Sequence, residues 1–192
     1  MSTDNFNTLS RRGFLVSVGA AAALGTTACS NGLGSTGAQD IDARVDATLN
    51  FLYSTYPGTT DLRDKSAGML IMPVVTKAGF GVGGSYGRGA LRINNVTVDY
   101  YSATEATVGF QIGAQQYAHV LFFMTEQALM DFRHSSGWAA GADLEYALND
   151  KGGNLNVATT TATAPVIAAI FGQAGFLAGA SLEGTKYSRI IP

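Results

Sequence analysis

Glycine recurs at every second position in parts of this 192-residue chain, and that spacing constrains the fold more than any other feature. In Gly79-Phe80-Gly81-Val82-Gly83, glycines hold one face of a period-two pattern while Phe80 and Val82 hold the other. Thr107, Gly109, Gln111 and Gly113 alternate in the same way with Ala106, Val108, Phe110 and Ile112. Alternation of this kind marks strands with one face buried. Glycines inside strands mark bends, bulges or close approach of another backbone. The pattern therefore predicts an α+β fold: a strongly curved antiparallel β-sheet or partly closed barrel, with a few packed helices.

Packing alone must hold such a domain together, because Cys29 is the only cysteine and no intramolecular disulfide can form. Hydrophobic residues make up 46% and charged residues 14%, which suits a well-filled core. Ile41, Val45, Leu49, Leu52, Tyr53 and Tyr56 follow helical spacing, with Asp40 placed as an N-cap and Pro57-Gly58 as the stop. The polar side of this helix is acidic, so packing on the domain is a better reading than lying on a membrane surface. Thr60 to Ser66 reads as a second short helix, and Asn94-Asn95 as a hairpin turn between Leu91–Ile93 and Val96–Val98. His119 to Met124 is apolar on both faces and belongs in the middle of the sheet. Thr125 caps a helix reaching Phe132. Residues 142 to 149, Val166 to Phe171 and Gly175 to Leu182 read as further strands.

The amino terminus has a different character. Ser10-Arg11-Arg12-Gly13-Phe14-Leu15 sets two arginines before a short apolar run ending at Leu24, the layout of a secretory leader and too short to span a bilayer stably. The arginine pair resembles the twin-arginine export signal. Thr26-Thr27-Ala28-Cys29 resembles a lipobox, which would leave residues 1–29 as leader and Cys29 as the acylated residue. Ordinary cleavage near Ala28, with Cys29 a plain thiol, is the other reading. Residues 30–39 read as a flexible tether and 40–192 as one globular domain. Net charge is -2, and removing Arg11, Arg12 and Asp4 with the leader leaves 10 basic against 13 acidic residues. That balance argues against a nucleic-acid binder, which would carry a basic face, and leaves any attraction to anionic lipid to a local patch.

Chemistry-bearing motifs are few. Gly79 to Gly84 satisfies G-x-G-x-x-G, with Asp99 downstream, but Ser85-Tyr-Gly-Arg-Gly89 is too glycine-rich to open the helix a dinucleotide needs. The motif reads as curved strand and no cofactor is expected. His119 and His134 have no partner at metal-ligand spacing; the first reads as a core residue, the second as a cation at a helix C-terminus. Asp143 and Glu145 share a strand face that suits solvent better than a metal. Nothing makes a positive case for catalysis.

Six blocks in order carry a resemblance: Met69–Pro73, Lys77–Gly84, Gly87–Gly89, Tyr101-Ser102, Gly109–Gln115 and Gly175–Gly184. Together, over roughly residues 65 to 190, they resemble the SYLF-domain family, also known as the Ysc-type lipid-binding domain, in its bacterial envelope-lipoprotein branch. The resemblance implies lipid binding without catalysis. Relatives that bind phosphoinositides use a basic N-terminal segment, whereas the matching helix here carries only Arg44 as a base. The expected partner is thus membrane lipid, with anionic phospholipid headgroups or an amphiphile as ligand. Lys65, Lys77, Arg88, Arg92 and Lys186 are the candidate headgroup contacts, each equally readable as a solvated charge. Phe80, Tyr86 and Phe176 are candidate groove walls. A structural or protein-interaction lipoprotein, touching lipid only through its anchor, is the alternative. Ser30 after Cys29 favours the outer membrane over the inner.

Overall fold

Two strands of unusual length organise the domain. The computed structural model describes residues 35–141, 144–146, 164–172, 175–176 and 182–192, without the side chains of 80–81, 107–114, 145–146 and 175–176. Strand β1 (Gly68–Ile93, 26 residues) pairs antiparallel with β2 (Val96–Phe123, 28 residues) along its whole length. Held straight, a strand like β1 would reach roughly 85 Å, so it has to bend to bury a core. Register shifts between Met72 and Val75, Gly79 and Gly81, and Leu91 and Arg92 let it do so. The strands are joined at Asn94-Asn95, where φ is 51° and 64°. Two left-handed residues match the twist of a tight hairpin, and asparagine tolerates that conformation.

The bend brings β1 back across itself. A Cβ at Gly79 would stand 2.6 Å from the Gly83 Cα, at the tightest part of the curl. Farther out, a Cβ at Gly89 would collide with the carbonyl of Ile71, near the other end of the same strand. Only glycine permits the two backbones to meet there. The glycine alternation in the sequence is the signature of this closure, and the fold is the curled, partly closed sheet that it predicts.

Shorter strands complete a seven-stranded sheet. On the far edge of β2, residues 100–104 pair with β7 (Lys186–Ile190) and residues 118–123 with β5 (Val166–Gly172). Strand β3 (Trp138–Ala139) adds to β7, and β4 (Leu144–Tyr146) and β6 (Gly175–Phe176) add to β5. Only the β4–β5 pair is parallel among the described strands. The segment 118–123 thus lies between β1 and β5, and its alternate side chains enter the cores on the two faces of the sheet, which accounts for its apolar character.

Among the described residues three helices pack on this sheet: α1 (Gly37–Thr55), α2 (Thr59–Lys65) and α3 (Glu126–His134). Thr125 caps α3 as expected, its hydroxyl accepting from the Ala128 amide at 3.2 Å. Helix α1 differs from expectation. It starts at Gly37, so residues 37–39 are helix and not tether, and Asp40 lies in the first turn, not at the cap. The Asp40 carboxylate accepts from the Thr36 hydroxyl at 3.3 Å and meets the positive helix end there. Of the strands expected over 142–149 and 175–182, only β4 and β6 fall among the described residues.

The sheet has a filled core on each face. On one, Leu129 and Phe132 of α3 pack with Leu70, Met72, Leu91, Tyr101, Leu121 and Tyr187. On the other, Ile41, Val45, Leu49 and Leu52 of α1 pack with Ile71, Val120, Phe122 and Ile167. Both cores lie inside one compact unit, Thr36–Pro192.

Candidate functional site

Helix α1 is tied to the hairpin by its acidic residues. Asp42 accepts from the Tyr100 hydroxyl at 2.8 Å and the Thr97 hydroxyl at 2.9 Å. Asp46 pairs with Arg92 at 2.7 Å, and the Arg92 Nε donates to Thr97 at 3.3 Å. Partial burial, together with the Asp42 carboxylate, pushes the Tyr100 hydroxyl up to about 12. The acidity that sets this helix apart from a membrane-surface helix therefore serves to dock it.

The flank of α1 beside its buried stripe stays open. Asp40, Arg44, Ala47, Thr48 and Phe51 recur about one turn apart and so share one side of the helix. Opposite them Pro73 and Val74 form the bulge in β1, where the strand departs from regular pairing. Proline lacks the amide a ladder needs, and a bulge is where a sheet accommodates it. Helix and bulge enclose two adjoining hollows, both walled by Pro73 and Val74. One, of about 240 Å³, is lined by Ala47, Phe51, Val74, Tyr117, Ala118 and Phe171. Phe51 stacks on Phe171 with ring centroids 5.9 Å apart and walls part of it. The other, of about 250 Å³, is lined by Asp40, Arg44, Thr76, Tyr86 and Arg88. Both lie along the same flank of α1 and share the Pro73–Val74 wall, one with cations in its lining and the other mostly apolar, and together they make up the groove beside α1. From Asp40 to Phe51 that flank of the helix spans roughly 16 Å at the helical rise of 1.5 Å per residue.

The five cations named from sequence do not form one cluster. Lys77 pairs with Glu105 at 3.1 Å, and Glu105 also accepts from Ser85 at 3.3 Å, within the curl of the hairpin. Arg92 is committed to Asp46 and Thr97. Lys65 is exposed at the end of α2. Lys186 is exposed on β7, its stem near Gly137. Of the five, Arg88 alone lines the groove. Arg44 lines it as well, although a single base on an acidic helix carries little weight in the sequence alone. Its helical spacing with Ala47, Thr48 and Phe51 is the signal that could have found it. Neither Arg44 nor Arg88 makes an ion pair among the described residues. Of the predicted walls, Tyr86 lines the cationic end, exposed. The side chains of Phe80 and Phe176, and Cys29 itself, lie outside the described residues.

The remaining motifs fall into structural roles or outside the described residues. Residues 79–84 run continuously through β1, and Asp99 lies within 3.3 Å of Arg133 and 3.4 Å of Arg189. His119 is fully buried, its Nε2 2.8 Å from the Tyr187 hydroxyl, with no partner for Nδ1 among the described residues. Burial lowers its pKa to about 3, so the ring is neutral at ordinary pH. His134 is exposed at the end of α3. Asp143 and the Glu145 side chain are outside the described residues.

Residues 104–189 match the family model described as Ysc84, Las17-binding protein actin regulator. No curated protein matches the chain.

Proposed function

We propose that this chain is a non-catalytic lipid-binding lipoprotein of the bacterial envelope, a reading supported by the match of residues 104–189 to the Ysc84 (SYLF-domain) family, which is associated with lipid binding. In this reading the twin-arginine leader directs export and acylated Cys29 anchors the chain. Ser30 after Cys29 favours the outer membrane. The observation that carries the lipid-binding role is the groove beside α1, with Arg44 and Arg88, neither ion-paired among the described residues, at one end and Phe51, Val74 and Phe171 at the other. Such a gradient fits an anionic headgroup joined to hydrocarbon. Each methylene buried there contributes about 0.8 kcal/mol, while the guanidinium groups select for negative charge.

The test is co-sedimentation of residues 36–192, free of leader and anchor, with phosphatidylcholine vesicles and with vesicles containing phosphatidylglycerol. Stronger binding to the anionic vesicles is expected, reduced by raised salt and by the Arg44→Ala/Arg88→Ala pair. No binding to either vesicle would leave Cys29 as the only attachment and direct the search to protein partners.

A further inference from the structure

We infer that the groove takes one single-chain anionic amphiphile as a monomer, its headgroup between Arg44 and Arg88 and its chain beside Ala47 toward Phe51 and Phe171. This rests on the lipid-binding reading and narrows it to a ligand class. The shape is the first reason. The apolar hollow is about 240 Å³ and is walled in part by the stacked Phe51 and Phe171 rings. One chain lying along the bulge fills such a space; a second chain of the same lipid would remain in water, without the gain that burial brings. The length, roughly 16 Å along α1, suits a medium acyl chain.

Charge is the second reason. Arg63, Lys77, Arg92, Arg133 and Arg189 all face carboxylates within the domain. Arg44 and Arg88 come from elements 44 positions apart in sequence and line one hollow with no ion pair among the described residues. Asp40 shares that hollow, but its carboxylate already receives the Thr36 hydroxyl and is outnumbered by the two guanidiniums. Planar guanidiniums suit a carboxylate or a phosphate equally, so a fatty acid and a lysophospholipid with a free phosphate share the required chemistry.

Titration calorimetry on residues 36–192, below the micelle concentration of each probe, tests this. The probes are dodecanoate, lauroyl lysophosphatidate, uncharged monolaurin and inorganic phosphate. Saturable one-to-one binding of dodecanoate or the lysophosphatidate is expected, and which binds more tightly identifies the source. Monolaurin should bind at least about tenfold more weakly, and Arg44→Ala/Arg88→Ala should erase that margin. Ala47→Trp, on an exposed position, should block all three chain-bearing probes while circular dichroism stays unchanged. Should that variant misfold, the arginine pair, both exposed, still decides the matter. Equal binding of monolaurin and dodecanoate, or phosphate binding as tightly as either, would overturn the inference. Vesicle binding without uptake of any single-chain probe would overturn it and leave the broader lipid-binding reading standing. Loss of both would end both.

Discussion

The two faces of the curled sheet are finished differently. Beneath α3, Phe132 is wholly buried, with its ring centroid 4.8 Å from those of Tyr101 and Phe123 and 5.5 Å from that of Trp138. Beneath α1 an equally dry core of Val45, Leu52, Ile71 and Phe122 stops at the helix flank, where Ala47 and Thr48 face the Pro73–Val74 bulge. Large rings close one face; small residues and an interrupted strand leave a groove on the other. If the groove binds lipid as proposed, changes under α3 should act on stability alone and changes along the open flank of α1 on binding.

Phe132→Ala should have the largest effect. Truncating a fully buried ring among Tyr101, Phe123, Trp138 and Tyr187 costs about 3–5 kcal/mol, read from denaturant unfolding, while groove binding by the folded fraction is retained. A loss below about 1 kcal/mol would mean that the aromatic cluster under α3 contributes little to stability.

Acid should act next, and through the same face. His119 has a folded pKa of about 3 against an ordinary 6.5, so between those values the unfolded chain binds the extra proton. Its contribution is complete above pH 6.5 and is lost as pH falls toward 3, at up to about 1.4 kcal/mol per pH unit. Chemical denaturation from pH 7 to 4 should show a shallower slope in His119→Gln than in the parent. Equal slopes would remove His119 as the source.

Gly89→Ala tests the closure that both faces share. A methyl group cannot sit against the Ile71 carbonyl without backbone movement, and the expected cost is about 1–3 kcal/mol or more. Near-neutral stability would show that β1 does not close on itself there.

The smallest effects distinguish two arginines only four residues apart. Arg92 is largely buried and fastens α1 to the hairpin, so Arg92→Ala should cost about 1 kcal/mol. Arg88→Ala should stay within about 0.5 kcal/mol in stability and act on ligand binding instead. If both act alike on unfolding, the division between docking and binding cations fails.

Much of the fold is local and was therefore readable. Asn94-Asn95 announces its turn, Thr125 its cap, and the helical stripe from Ile41 to Leu52 its buried face. The glycine alternation even carries the closure. What escaped reading is long-range. Nothing in Lys186–Ile190 signals a strand beside Tyr100–Thr104, since that pairing depends on where the curl brings β2. Lys77 and Arg92 look like free cations until Glu105 and Asp46 arrive from 28 and 46 positions away. Arg44 looks incidental until the bulge at Pro73 places it beside Arg88. The candidate site was legible as residue types and not as an assembly, because ion pairing across the chain decides which cations remain available.

Mapping the site directly tests the central claim. Amide chemical shifts of residues 36–192, followed by NMR as dodecanoate is added, should move along residues 40–51, at Val74, at 86–88, and at 171–172. Amides of α3 and β7 should stay still. Shifts centred on residues 126–134 and 186–190 instead, or none at all, would contradict a lipid groove on the α1 face.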